Sequence, residues 1–477
     1  MRPPGVCACS LLLAALGACA LQTPILPAPE LPAAFDRAGP AVAHWPSSDW
    51  YRGFASAELD SLIAEAVSHN FDLATARARL AQADARARQA HAGILPRVDA
   101  NGSANYLAGH ASGSSAHETD WSALLSASYE VDFWGKNRAT ADAARYLAQA
   151  ARADRDTVAL TTLAGVADGY FNVLSIRERL VAARANLEAA RSLMNIVQAR
   201  FGVGLGTPVE VASQRAALAT AELAVPELER LESDAVAGVA LLLGRAPEGF
   251  HLDGAPLESL QEPQVAVGLP AELLQRRPDV ASAEQQLASS GADLVAARAA
   301  FFPSLTLTAA GGVQNPALNA AVLTLSGTGP TLNLGAALLQ PLFNGGRLRA
   351  ARAASEAKLE EAAIAYRAAI VSALVDVENA LSAIQHLDAE REFQADALAQ
   401  SQTAYEGARL RYQEGYGDFL TALEAQRTVF AMRDQFSQYR LARLQALVSL
   451  CKALGGGWQV PGTTPQVASL HAGAQPR

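Results

Sequence analysis

Residues 121–132 read Trp-Ser-Ala-Leu-Leu-Ser-Ala-Ser-Tyr-Glu-Val-Asp, and the stretch 136–200 that follows contains no proline. In the first piece Trp121, Ala123, Leu125, Ala127, Tyr129 and Val131 alternate with Ser122, Leu124, Ser126, Ser128, Glu130 and Asp132. That is the period of a strand with one apolar and one polar face. The second piece reads as one helix over residues 136–201, about 100 Å long at 1.5 Å per residue. Ordinary globular helices run only three or four turns. A two-faced strand leading straight into so long a helix sets the fold class: mainly α, with a few two-faced β segments.

Working outward, the pattern occurs twice. Ile94-Leu95-Pro96 matches Phe301-Phe302-Pro303, and Phe133-Trp134-Gly135 matches Phe343-Asn344-Gly345. Arg200-Phe201-Gly202-Val203-Gly204 matches Arg411-Tyr412-Gln413-Glu414-Gly415, and Leu242-Leu243-Gly244 matches Ala453-Leu454-Gly455. Paired positions keep an offset between 207 and 211 residues, which marks two tandem repeats. The first spans 58–244, with strands at about 97–107 and 121–132 and the long helix at 136–201. The second spans 270–457, with strands at about 304–313 and 331–341 and a long helix at 346–413. A Pro/Gly-rich connector, 245–269, separates them. In the second long helix Ile370, Leu374, Val377, Leu381 and Ile384 recur at spacings of four and three, a coiled-coil seam. Each long helix ends in a glycine turn and the chain returns as another helix, so each repeat is two strands and a long helical hairpin.

The alternation recurs at 97–106 and at 304–313, and is least regular at 331–340. Strands of about ten residues, apolar on one face and polar on the other, are the signature of a transmembrane barrel. A soluble sheet with one wet face carries the same signature. Four strands cannot close a barrel, and lipid forbids an open edge. Several chains must therefore contribute: eight strands from two would be filled by side chains, whereas twelve from three would leave a lumen.

The N-terminus reads as an export signal at 1–18: Arg2, a short apolar stretch, then Leu16-Gly17-Ala18-Cys19. The apolar stretch is too short to span a bilayer. Leu-Gly-Ala-Cys resembles a lipobox, which would make Cys19 the acylated first residue, opening a lead at 19–57. Ala20 rather than aspartate then implies sorting to the outer membrane. Cys7 and Cys9 leave with the signal, so Cys451 stands alone and no disulfide framework is expected. Beyond the signal no membrane-spanning helix is expected. The tail at 458–477 is rich in Gly, Pro, Thr and Gln and reads as disordered. The formal charge of −9 and the pI near 5.5 argue against a nucleic-acid partner.

Leu273-Leu274-Gln275-Arg276-Arg277-Pro278-Asp279-Val280, with Phe301-Phe302-Pro303-Ser304-Leu305, resembles the signature of outer-membrane factors of multidrug efflux systems. These form the TolC-like superfamily, and the resemblance is nearer to its NodT/OprM lipoprotein branch. Residues 129–136 and 452–458 match it too. The resemblance implies a homotrimer with a 12-stranded β-barrel in the outer membrane, continued by an α-helical barrel across the periplasm. It also implies a periplasmic adaptor and an inner-membrane pump as partners, with drugs or other toxic small molecules passing through passively. A protein-secretion duct of the single-step type, and a periplasmic coiled-coil scaffold without a pore, are the competing readings.

Two candidate sites follow. Leu420 and Glu424 lie four apart on one helix face, so three copies around an axis would form a leucine ring and a carboxylate ring. Neighbouring carboxylates repel and would attract cations or protons. The family carries its periplasmic aperture at matching positions, usually with aspartate where Glu424 stands. Val203-Gly204-Leu205 resembles the tip motif that meets the adaptor, with Gly415 its counterpart. Arg276, Arg277 and Asp279 read instead as a helix start, with Pro278 in the first turn. No HExxH, GxSxG, mature CxxC or Walker loop occurs, so neither catalysis nor a metal or cofactor is expected.

Overall fold

The computed structural model describes residues 31–37, 45–111, 114–265, 267–315 and 329–459. The expected signal, Cys19 and nearly all of the C-terminal tail lie outside the described residues. Among the described residues seven helices of 13 or more residues and four strands follow in order: α1 (Ala57–His69), α2 (Phe71–Ala92), β1 (Arg97–Ala111), β2 (Ser114–Val131), α3 (Lys136–Gly202) and α4 (Pro208–Leu242). After the connector come α5 (Pro278–Ala299), β3 (Ser304–Asn315), β4 (Gly329–Leu339), α6 (Arg347–Gln413) and α7 (Phe419–Ala453). The repeat is exact in helix length: α2 and α5 have 22 residues each, α3 and α6 have 67, and α4 and α7 have 35.

Two compact units result. One holds Arg79–Arg152 and Ser282–Arg367 and contains all four strands. They form one antiparallel sheet in the order β1-β2-β3-β4. Register pairs Ala100 with Leu125, Leu125 with Gly311 and Gly311 with Leu332. Partners directly opposite share a face, so Val98, Tyr106, Leu125, Tyr129, Leu307, Leu334 and Leu338 lie on one side. Most of these are exposed, an apolar expanse that water does not tolerate. On the other face Asn101 Nδ2 donates to Ser126 Oγ at 2.7 Å, and the Ser103 and Ser122 hydroxyls meet at 2.8 Å. Strand ends depart from the sequence expectation. β1 runs on to Ala111, and β2 begins at Ser114 and ends at Val131. Gly109 and the serines at 114 and 115 read as a loop, yet ladder pairing continues through them, Gly109 opposite Ala116 and Ala111 opposite Ser114. β3 likewise reaches Asn315, and β4 lies two residues earlier than expected, at Gly329–Leu339, set by its pairing with β3. In β4, Ala337 and Leu339 fall on the polar face and blur its alternation.

The other unit holds Ala153–Ala281 and the chain from Ala368 on, with α1 and the start of α2. Its core gathers Phe54, Leu59, Ile63, Val166, Tyr170, Phe171, Leu243, Val448 and Cys451. The connector reaches into it through Phe250, Leu252 and Leu257. Burial pushes the Cys451 thiol up to about 12, so it packs as a small apolar side chain.

At the joint where each repeat closes, the two copies use one construction. Gly244 (φ 70°) and Gly455 (φ 85°) end the LLG and ALG landmarks. A Cβ on Gly244 would lie 2.3 Å from the His69 carbonyl oxygen, and one on Gly455 would lie 1.7 Å from that of Arg276. Backbone passes against backbone, which only glycine permits. The next residue in each copy is a buried polar one: Asn70 caps α2 and donates to Leu242 O at 2.8 Å, while Arg277 donates to Ala453 O at 3.1 Å.

One helix runs against expectation. α6 carries an 18-residue window apolar enough to cross a membrane by length and composition. Only 22% of that window is buried within the chain: Ile370 and Val377 of the seam pack inside, while Ile364, Val371 and Val375 stay exposed.

Candidate functional site

The first hairpin tip joins α3 to α4. Gly204 takes φ 76°, and Thr207 then caps α4: its hydroxyl accepts from Glu210 N at 3.3 Å while Glu210 Oε2 accepts from Thr207 N at 2.8 Å. This reciprocal pair fixes where α4 starts, with Pro208 at its first position. Around this tip Phe201 at the end of α3, Val203 and Leu205 in the turn, and Val209 at the start of α4 are all exposed, Val203 and Leu205 by 72% and 68%. Four apolar side chains at one turn, held up by a rigid cap, make a sticky knob.

The second tip joins α6 to α7 and is finished differently. Gly415 takes φ 84°, and Asp418 caps α7 through Thr421 N at 2.9 Å and the Thr421 hydroxyl at 2.7 Å. The Thr421 hydroxyl, then its N–H, hold the Asp418 carboxyl below the usual carboxylate range. The turn exposes Glu414 and Tyr416. One turn into α7, Leu420 and Glu424 stand exposed on the same face and line an open groove with Ser401, Ala404 and Thr428. The structure thus sets Leu420 and Glu424, the residues expected at an aperture, on one face, and Val203, Gly204, Leu205 and Gly415 on the turns themselves. Among the described residues no group of three or more His, Cys, Asp or Glu could hold a metal ion.

Contacts that sequence reading missed join the tips. Leu193 and Val197 of α3 pack with Tyr412, Phe419, Ala422 and Leu423 of the second hairpin. Arg200 lies over the Tyr412 ring at 4.8 Å and donates to the Tyr412 carbonyl at 3.2 Å. Higher up, Arg179 binds Asp434 at 2.5 Å and Arg440 binds Glu178 at 3.1 Å, both between α3 and α7. Gln214, fully buried, donates to Ala190 O at 3.0 Å and ties α4 to α3. Gln426 is buried at the matching place in the second copy. The signal was present: Gln-Arg occurs at 214–215 and again at 426–427. Spreading the tips therefore means parting an apolar cluster, a cation–π contact and two ion pairs.

Arg277 is mostly buried and makes two hydrogen bonds to Asp279, at 3.0 and 2.6 Å, and one to Asp376 at 2.9 Å. Burial opposes the Asp279 charge, but Arg277 overrides it and holds that carboxyl below its ordinary value. Arg276 stacks over Trp45 at 4.5 Å. With every arm engaged by protein, the cluster works as a joint.

Residues 62–245 and 269–456 match the family described as "Outer membrane efflux protein". The chain is 43% identical to the pyoverdine export outer membrane protein OpmQ of Pseudomonas aeruginosa, over 86% of this chain and 87% of that one. It is 30% identical to the antibiotic efflux pump outer membrane protein ArpC of Pseudomonas putida, over 96% of each. Among solved structures, the outer-membrane channel OprN superposes with a TM-score of 0.84 at 27% identity, over 92% of this chain and all of that one. The open state of the Neisseria gonorrhoeae MtrE channel gives 0.82 at 28%, over 92% and 98%. The doubled strand-and-hairpin plan is therefore that of the TolC-like outer-membrane channels, and the chain belongs to the outer membrane efflux protein family.

Proposed function

We propose that three copies close one 12-stranded barrel and continue it as a helical tunnel. That duct takes cargo from a periplasmic adaptor and an energised inner-membrane pump, conducts it passively, and performs no catalysis. The observation that carries this reading is the sheet. Its apolar face is exposed, its other face is polar and hydrogen-bonded, and among the described residues β1 and β4 each pair on one side only. Lipid supplies a surface for the first face, and sister strands supply the missing pairs. Channel neighbours spanning nearly the whole chain support the same assembly. The exposed knob at Val203 and Leu205 supports adaptor docking at the first tip, and the Leu420–Glu424 face supports an aperture at the second. Cargo of small size is supported by relatives named for pyoverdine, antibiotic and toluene export. Leu16-Gly17-Ala18-Cys19 supports a lipid anchor on Cys19.

Neighbouring residues on opposite strand faces test the barrel. Leu125→Arg places a charge on the apolar face and is expected to cost about 2–4 kcal/mol per subunit near the midplane, depleting assembled trimer. Ser126→Arg points to the polar face and should assemble normally. Equal assembly of the two variants, or a monomer by native mass measurement, removes the barrel.

A further inference from the structure

Where α2 ends and α3 begins, next to the sheet, the two helices leave an open groove of about 630 Å³. Four arginines, Arg88, Arg138, Arg145 and Arg152, line it together with His91, over a floor that includes Ala141 and Ala148. Arg138, Arg145 and Arg152 recur every seven residues, two helical turns apart, and so form one row. Only part of this charge is answered within the chain. Asp142 pairs with Arg145 at 3.1 Å and Asp84 with Arg152 at 3.8 Å. Among the described residues Arg88, Arg138 and His91 have no ion-pair partner. These three sit at the end of the groove nearest the strands, because α2 runs toward β1 and α3 leads away from β2.

The groove's direction follows from helix phase. Lys136, at the start of α3, donates to Glu130 Oε1 at 2.6 Å, and Glu130 belongs to the polar face of the sheet. At 100° per residue, Arg145 lies about 180° around the helix from Lys136. The arginine row therefore opens on the side of the apolar strand face. At that level, just past the strand ends, that side meets the headgroups of the leaflet at the helical end of the barrel.

We propose that the groove binds the headgroup of an anionic phospholipid from that leaflet, its phosphate held between Arg88 and Arg138. Guanidinium forks match phosphate oxygens in pairs, and basic clefts at headgroup depth select acidic lipids. A zwitterionic headgroup would carry its own cation into a cleft where four arginines already face two carboxylates. The proposal goes beyond conduction, and its failure would leave the channel reading intact.

The test is native mass spectrometry of the full-length protein in mild detergent, titrated with phosphatidylglycerol or phosphatidylethanolamine. Wild type is expected to retain phosphatidylglycerol about tenfold more tightly, the scale of charge-assisted hydrogen bonds to a phosphate. Arg88→Gln together with Arg138→Gln should abolish that preference, and Arg152→Gln should keep it. Arg88→Gln alone removes an exposed, unpaired side chain, so folding is not at issue, and about a threefold loss is expected. An equal affinity for both lipids in wild type would overturn the proposal. So would an unchanged preference in both Arg88 variants, or displacement of the lipid by sn-glycerol 3-phosphate at equal concentration, which would make the cleft a free-phosphate site.

Discussion

The two repeats share long-helix lengths to the residue but differ in charge at several matched places. At the joint, the first copy uses neutral Asn70 where the second uses Arg277 with Asp279 and Asp376. On the long helices, Asp168 of α3 and Asn379 of α6 each lie 32 positions past the helix start. At the tips, the first copy exposes four apolar side chains, whereas the second exposes Tyr416 and Leu420 together with the carboxylates Glu414 and Glu424. α4 contains Pro226, while α7 has no proline. The two copies thus keep one backbone plan and carry different side chains at its ends.

The joint should show the largest difference. Arg277→Ala removes charge-assisted hydrogen bonds to two carboxylates and one to a carbonyl. Because the Asp279 and Asp376 side chains are 35% and 48% exposed, the cost is about 2–3 kcal/mol. Asn70→Ala removes neutral hydrogen bonds worth about 1–2 kcal/mol. The folded-state pKa of Asp279 is lowered. Its stabilising contribution is therefore complete above its unfolded value, near pH 4, and is lost as pH falls through the lower folded value. The temperature at which the assembled protein dissociates, measured at pH 7 and pH 3, should drop more steeply with acid in the Asn70→Ala protein than in Arg277→Ala. Identical acid slopes would show that the joints are energetically alike.

At the first tip, Leu205→Asp puts a charge in the exposed knob. If that knob docks a partner, the loss is that of an interface hot spot, about 2 kcal/mol or 30-fold in affinity. Efflux should collapse while conductance of the purified channel stays normal. Tyr416→Asp, at the second tip, should leave partner affinity nearly unchanged. Reversed sensitivities would exchange the roles of the tips.

Asp168 is a smaller asymmetry. Burial raises its carboxyl to about 6, with Lys452 only partly offsetting it, and its Oδ1 has no hydrogen-bond partner among the described residues. A raised folded-state pKa gives stability that is full below the unfolded value near 4 and is lost as pH rises through 6. Asp168→Asn, which copies the second repeat, should therefore stabilise at pH 7.5 and do little at pH 4.5. Two pKa units set a ceiling of about 3 kcal/mol. With the side chain keeping some solvent, about 1 kcal/mol is expected. Destabilisation at pH 7.5 would mean that the charge is used.

The repeat, the long helices and the two-faced strands were legible because each rests on periodicity or spacing, which are local. What escaped is set by partners. β1 and β2 run through Gly109, Ser114 and Ser115 because the ladder holds them, against local turn propensity. β4 looked irregular because Ala337 and Leu339 stand on its polar face. Tyr412 sits beside a glycine turn, where an exposed residue is expected, yet it is almost fully buried under Arg200. Those two residues are 212 positions apart, and no local pattern announces their contact. Glycines 244 and 455 were visible as landmarks, but the carbonyls they pass were not.

Glu424 sharpens the comparison most finely. Counting back from the aligned buried glutamines, Ala212 stands two before Gln214 and Glu424 two before Gln426. Only the second repeat can thus offer a carboxylate at this height. In a trimer three of them would concentrate cations at the aperture without closing it, so Glu424→Ala should lower cation-over-anion selectivity and change single-channel conductance by about twofold. Leu420→Ala, one turn nearer the tip, removes bulk without charge and should raise conductance while leaving selectivity alone. Planar-bilayer recordings of the two variants separate the contributions. If Glu424→Ala matches wild type in both quantities, Glu424 is a solvated surface residue and Leu420 alone remains to narrow the end.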